Sequence, residues 1–141
     1  MIPAFSNNGN LPPGIYEATW QEIQERFGWN AERRELLGGL RKGLLILKEA
    51  GCQMAYINGS FVTTKDIPND FDVYWSPYDV DFAKLKRLEP AFLTASRGGR
   101  KQQKSTYGGE FFFSKGMLSL FQETREKTAK GIIALDLRRL T

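Results

Sequence analysis

At 141 residues with 41% hydrophobic and 13% aromatic content, the chain is long enough for one real core and too apolar to be a disordered segment. Twenty Lys and Arg against 16 Asp and Glu give +4, mildly basic, which permits a polyanionic partner without demanding one. There is no histidine and only one cysteine, so histidine-based acid–base chemistry, Ser-His-Asp triads, internal disulfides and the usual zinc ligand sets are excluded.

Residues 1–18 read as an extended, Asn-, Pro- and Gly-rich arm, with Leu11-Pro12-Pro13-Gly14 lying along the surface. Residues 19–141 read as one domain. Thr19-Trp20-Gln21-Glu22 has the form of a capping box and predicts a short helix over about 20–27, ended by Gly28. Asn30 caps a longer helix over about 31–50, in which Leu36, Leu37, Leu40, Leu44, Leu47 and Ala50 recur at helical spacing. Gly38, Gly39 and Gly43 weaken that helix, each by roughly 1 kcal/mol relative to Ala. Strands follow over Gln53–Ile57 and Phe71–Trp75, the second with Phe71, Val73 and Trp75 turned to the core. Ser76-Pro77 breaks that strand. Asp79-Val80-Asp81 reads as the cap of a helix that runs to about 89, and Arg97–Lys104 as a basic, flexible loop. Glu110–Phe113 is a strand, Met117–Glu123 a short helix and Gly131–Leu137 a last strand, with Asp136 facing solvent. This order predicts an α/β (α+β) domain, a small mixed sheet with helices packed on one face.

The chemistry gathers around Gly59-Ser60 and Asp70-Phe71-Asp72. Residues two apart on a strand share a face, so Asp70 and Asp72 can converge on one cation. Gly59 and Ser60 offer a Cβ-free backbone approach, exposed amides and a hydroxyl, which suit a triphosphate. Without histidine, a bound metal should be a hard cation on carboxylate oxygens, Mg²⁺ or Mn²⁺. Arg97, Arg100, Lys101 and Lys104 are candidates to close over a triphosphate or to track an RNA backbone. Tyr74 and Tyr107 are candidates to stack a base, and Cys52 reads as a small buried hydrophobe.

The Gly-Ser pair followed after nine residues by Asp-x-Asp resembles the signature of the polymerase-beta-type nucleotidyltransferases, particularly the minimal ones. More narrowly, Leu11-Pro12-Pro13-Gly14-Ile15, the Ile57–Asp72 motif and Lys130-Gly131-Ile132 resemble a group of small bacterial and phage nucleotidyltransferase-like proteins. The resemblance implies three carboxylates around two metal ions: Asp70, Asp72 and, as the candidate third, Glu110. It implies transfer of a nucleoside monophosphate from a nucleoside triphosphate to a hydroxyl of a protein or RNA acceptor, in a toxin–antitoxin or phage-defence setting. A toxin partner or a homo-oligomer is expected, with no membrane association and a cytoplasmic location. The alternative is an inactive binding module of the same fold, an antitoxin or phage-encoded inhibitor that holds a nucleotide or a partner protein. The chain departs from the pattern at Thr63-Thr64, where minimal transferases usually carry glycine, and its intervening segment is one residue shorter than is common.

Overall fold

In the computed structural model, which describes residues 1–94, 97–113 and 130–141, helix α1 spans Trp20–Phe27 and α2 spans Ala31–Glu49. The capping box is formed: the Thr19 hydroxyl accepts from the Glu22 amide at 3.1 Å, and the Glu22 carboxylate accepts from the Thr19 amide at 3.0 Å. The Asn30 side-chain oxygen accepts from the Arg33 amide at 2.8 Å. Both caps satisfy first-turn N–H groups that have no acceptor within the helix.

Strands β1 (Gly14–Glu17), β2 (Met54–Asn58), β3 (Phe71–Trp75), β4 (Gly109–Phe112) and β5 (Gly131–Asp136) form one sheet in the order β1-β5-β2-β3-β4. β2 runs antiparallel to β5 and β3, while β1 and β4 lie parallel to their neighbours. Alternation along the strands puts Ala55, Ile57, Phe71, Val73, Trp75, Phe111, Ile133 and Leu135 on one face. They share a core with Phe27 of α1, Leu40, Leu44 and Leu47 of α2, Leu85 of α3 (Phe82–Leu88) and Tyr107 of α4 (Arg97–Tyr107). The architecture is the mixed α/β arrangement that the sequence predicts. Asp81 caps α3, its carboxylate accepting from the Lys84 amide at 3.0 Å. Among the described residues no helix is long and apolar enough to cross a membrane.

Two elements differ from expectation. The predicted arm ends in a strand: β1 pairs with β5, Gly14 opposite Gly131, and Leu11 is buried in the core instead of lying along the surface. The predicted basic loop is helix α4. Its residues from Arg100 onward include no glycine or proline before the end, and Gly99 sits in the first turn, where a Cβ would come within 2.8 Å of the Thr94 carbonyl oxygen. Gln103 then locks the helix in place: its amide nitrogen donates to the Ala91 carbonyl at 2.7 Å and its amide oxygen accepts from the Phe111 N–H at 2.5 Å. Packing, more than propensity, makes this segment helical. The predicted helix over Met117–Glu123 lies outside the described residues.

The glycines of α2 now have a reason. A Cβ on Gly39 would lie 1.8 Å from the Tyr107 carbonyl oxygen, and one on Gly43 would lie 2.3 Å from the Phe111 ring. These contacts let α4 and β4 close onto α2. Gly38 faces open space. Gly39→Ala is therefore expected to destabilise by about 3 kcal/mol through overpacking. Gly38→Ala is expected to stabilise by about 0.5–1 kcal/mol, since alanine loses less backbone entropy. Urea unfolding of the two variants, one residue apart, reads both signs.

Candidate functional site

β2 ends at Asn58 and the chain turns at Gly59, whose φ of +92° and ψ of −176° belong to a region essentially reserved for glycine. The close approach matters as much as the angle. A Cβ there would stand 3.1 Å from the Asp72 amide nitrogen and 3.3 Å from its carboxylate Oδ2. Ser60 begins a short 3₁₀ turn, Ser60–Val62. Its hydroxyl accepts from the Asn69 N–H at 3.1 Å and donates to the Asp70 carbonyl at 3.3 Å. The hydroxyl expected to meet a triphosphate thus ties the Gly-Ser turn to the start of β3 and holds Asp70 in place.

The turn itself is held by a residue that the sequence reading missed. Arg33 is fully buried without an ion-pair partner among the described residues. Its guanidinium donates to the carbonyls of Phe27 (3.0 Å), Phe61 (2.8 Å), Thr63 (2.7 Å) and Lys65 (2.5 and 3.1 Å). It also lies 3.6 Å above the Trp29 ring centroid, a cation–π contact. Burial lowers its pKa to about 10, with Asp66 opposing the shift. Four backbone carbonyls, three of them in the segment that follows Ser60, are thereby satisfied by one side chain. The signal was present: Arg33 precedes Leu37, Leu40, Leu44 and Leu47 at the same three- and four-residue spacing, so it belongs to the buried stripe.

Across the sheet, Asn58 pairs with Asp72, and Asp72 pairs with Glu110. In-register neighbours share a face, so these three form a row on the side opposite the core, with Asp70 two residues before Asp72. The electrostatics report the same proximity. Burial first, then the negative charges of Asp70 and Glu110, push the Asp72 carboxyl up to about 6, while Lys130 and Lys104 oppose the rise. The Lys104 ammonium stands 3.4 Å from Asp70 Oδ2. Arg100 and Lys101 are exposed on the same helix, which Arg97 opens.

Carboxylate oxygens are the donors a hard divalent cation takes, and the repulsion felt by Asp72 is what such a cation would relieve. In charge and ligand type, Asp70, Asp72 and Glu110 fit one. No group of three such residues among those described is drawn together as a finished metal cage.

Other candidates sort differently. Tyr107 is a core residue, packed on Phe92 and Phe111 with its hydroxyl donating to Glu89, so it is not free to stack a base. Tyr74 shares the carboxylate face and packs beside Tyr56, ring centroids 6.3 Å apart. Asp136 pairs with Arg138 at 2.9 Å and caps the last 3₁₀ turn. Cys52 is buried, which pushes its thiol up to about 12 and leaves it unreactive. A groove of about 510 Å³ runs between α2 and α4, lined by Glu32, Glu35, Lys42, Pro68 and Lys104. It meets the carboxylates through Lys104. A cavity of about 420 Å³ lies instead by Glu17, Trp20, Asp136 and Arg138.

No curated protein and no solved structure matches the chain. A family of unknown function (DUF6932) matches residues 3–136, nearly the whole chain, with the Gly59–Ser60 turn and all three carboxylates inside the match, and the chain belongs to that family.

Proposed function

We propose that the chain is a divalent-metal-dependent nucleotidyltransferase that moves a nucleoside monophosphate from a nucleoside triphosphate to a hydroxyl of a protein or RNA acceptor. The observation that supports it is the register that sets Asp72 directly between Asn58 and Glu110, with Asp70 alongside and the Gly59 backbone against the Asp72 carboxylate. Asp70, Asp72 and Glu110 would hold the cation, Mg²⁺ or Mn²⁺, which when bound neutralises triphosphate charge and acidifies the acceptor hydroxyl. Gly59 would let a phosphate approach the turn's backbone with no side chain in the way. Lys104 is placed to exchange Asp70 for a phosphate oxygen, a stronger charge-assisted contact. In the transfer, the acceptor oxygen bonds to the α-phosphorus as the bond to the bridging oxygen breaks, and pyrophosphate leaves. The hydroxyl proton passes to Asp70 or Glu110, since the chain has no histidine to take it.

Incubation of host protein and RNA with nucleoside triphosphates labelled at the α-phosphate, with Mg²⁺ or Mn²⁺, tests this. Asp70→Asn/Asp72→Asn is expected to lose label at least about 100-fold. Label surviving in that variant refutes the assignment.

A second reading has its own support. The Lys104 ammonium already pairs with Asp70 at 3.4 Å, so it competes with a cation for that carboxylate. On that reading the fold holds a nucleotide or a partner protein without chemistry, as an antitoxin or a phage-encoded inhibitor would. It is favoured if no label transfers while nucleotide still raises the melting temperature.

A further inference from the structure

We propose that the exposed side of α4 is a track for the phosphate backbone of a single-stranded polynucleotide, which makes the acceptor of the proposed transfer an RNA end. The inference rests on the transferase reading for the identity of the acceptor, but the track is a binding surface in its own right.

The helix carries its charge on one side. Arg97, Arg100, Lys101 and Lys104 recur at i, i+3, i+4 and i+7, so their positions fall within an arc of about 100°. The buried positions Gly99, Gln103 and Tyr107 repeat every four residues on the adjoining arc. The two buried bonds of Gln103 fix that rotation, so Arg100, Lys101 and Lys104 are presented to solvent as a consequence of packing. α4 contains no acidic residue, and among the described residues neither Arg100 nor Lys101 has an ion-pair partner. Cations in the first turns oppose the helix dipole, so they do not serve the stability of the helix.

The stripe also has a direction. From Arg97 to Lys104 it runs about 10 Å, longer than one phosphate group requires, and it finishes at the ammonium that touches Asp70. A strand whose terminal hydroxyl lies at Asp70 and Asp72 would set its preceding phosphates along Lys104, Lys101 and Arg100. On the groove wall Glu32 and Glu35 outweigh Lys42, so the α2 side is net negative and favours the outer stripe for a polyanion. With no aromatic residue before Tyr107, which is buried, α4 supplies charge without base stacking, so recognition along it is independent of sequence.

The test is fluorescence anisotropy of a labelled oligouridylate against the full chain over a potassium chloride series. Three neutralised phosphates give a slope of log affinity against log salt of about −2. Arg100→Gln/Lys101→Gln is expected to bring the slope to about −0.7 and to weaken low-salt binding about tenfold. Lys86→Gln/Arg87→Gln on α3 makes the same change in net charge and is expected to leave the slope as it is. A slope unchanged by the α4 substitutions, an equal effect of the α3 pair, or no binding by the native chain at low salt overturns the track. So does loss of ATP-induced stabilisation in parallel with loss of oligonucleotide, because the stripe would then serve the free triphosphate. Asp70→Asn/Asp72→Asn is expected to bind the oligonucleotide at least as tightly as the native chain. A chain that binds RNA and transfers nothing therefore refutes only the transferase reading. One that labels protein without binding RNA refutes only the track.

Discussion

Arg33→Met is expected to lower the unfolding free energy by about 3–5 kcal/mol, the cost of leaving several backbone carbonyls without their shared donor. The methionine fills much of the space but donates nothing, so the carbonyls of Phe27, Phe61, Thr63 and Lys65 lose the donor that they share. Each buried acceptor left unsatisfied costs about 1–3 kcal/mol, and a domain of this size has only about 5–15 kcal/mol in all. Arg33→Lys should recover little, because a lysine ammonium lacks the planar fork that reaches four carbonyls at once. Urea unfolding gives the total. Hydrogen exchange gives the location: amides of 60–65 and 69–70 should lose protection first, since the Ser60 hydroxyl passes the slack on to Asp70. A loss below about 1 kcal/mol would mean that water replaces the guanidinium, and the clamp would be dispensable.

Asp72→Asn works in the opposite direction. The Asp72 carboxyl titrates near 6 in the folded chain against an ordinary 3.8, raised by burial and then by Asp70 and Glu110. Between those values the folded chain binds more protons than the unfolded one, so stability falls as pH rises from about 4 to 6. Below that window the carboxyl is protonated in both states and the penalty is absent. Above it the full penalty applies, about 2–3 kcal/mol for a shift of this size. Removing the charge should therefore stabilise the chain at pH 7 by about that amount, and flatten its pH dependence between 4 and 6. On the transferase reading proposed above, the same substitution should end nucleotidyl transfer. If Asp72 holds the proposed cation, Mg²⁺ should stabilise the native chain at pH 7 and not the variant. Unfolding in urea at pH 4, 5, 6 and 7 reads all of this but the transfer, and an Asp72→Asn chain no more stable at pH 7 than the native one would remove the argument.

Local signals carried the sequence reading a long way. The capping box at Thr19, the Asn30 cap and the alternation of Phe71, Val73 and Trp75 are written within a few neighbouring residues, and those elements appear where they were expected. The nearness of Asp70 to Asp72 is legible for the same reason. What escaped depends on distant parts of the chain. β1 is four residues long and looks like an arm until β5 lies beside it. α4 has no apolar stripe to announce it, because one of its buried positions is a glycine and another is Gln103, whose partners lie in the 3₁₀ turn Pro90–Leu93 and in β4. Arg33 is harder to place, because an arginine is read as surface unless the carbonyls that surround it are known. Glu110 could be guessed as a third carboxylate, but only the parallel register of β3 with β4 sets it against Asp72.

The place of β5 in the sheet has a consequence for how the protein is made. β5 lies between β1 and β2, and β1 has no other strand to pair with among the described residues. Gly14 and its partner Gly131 are 117 positions apart. At roughly 5–20 residues per second of synthesis, the first strand waits about 6–23 s for its neighbour to be made. During that interval one edge of β2 is uncovered, and Ile15 and Tyr16 have no ladder to join. The nascent chain therefore carries two open strand edges until β5 emerges, and chaperone occupancy should be highest before then.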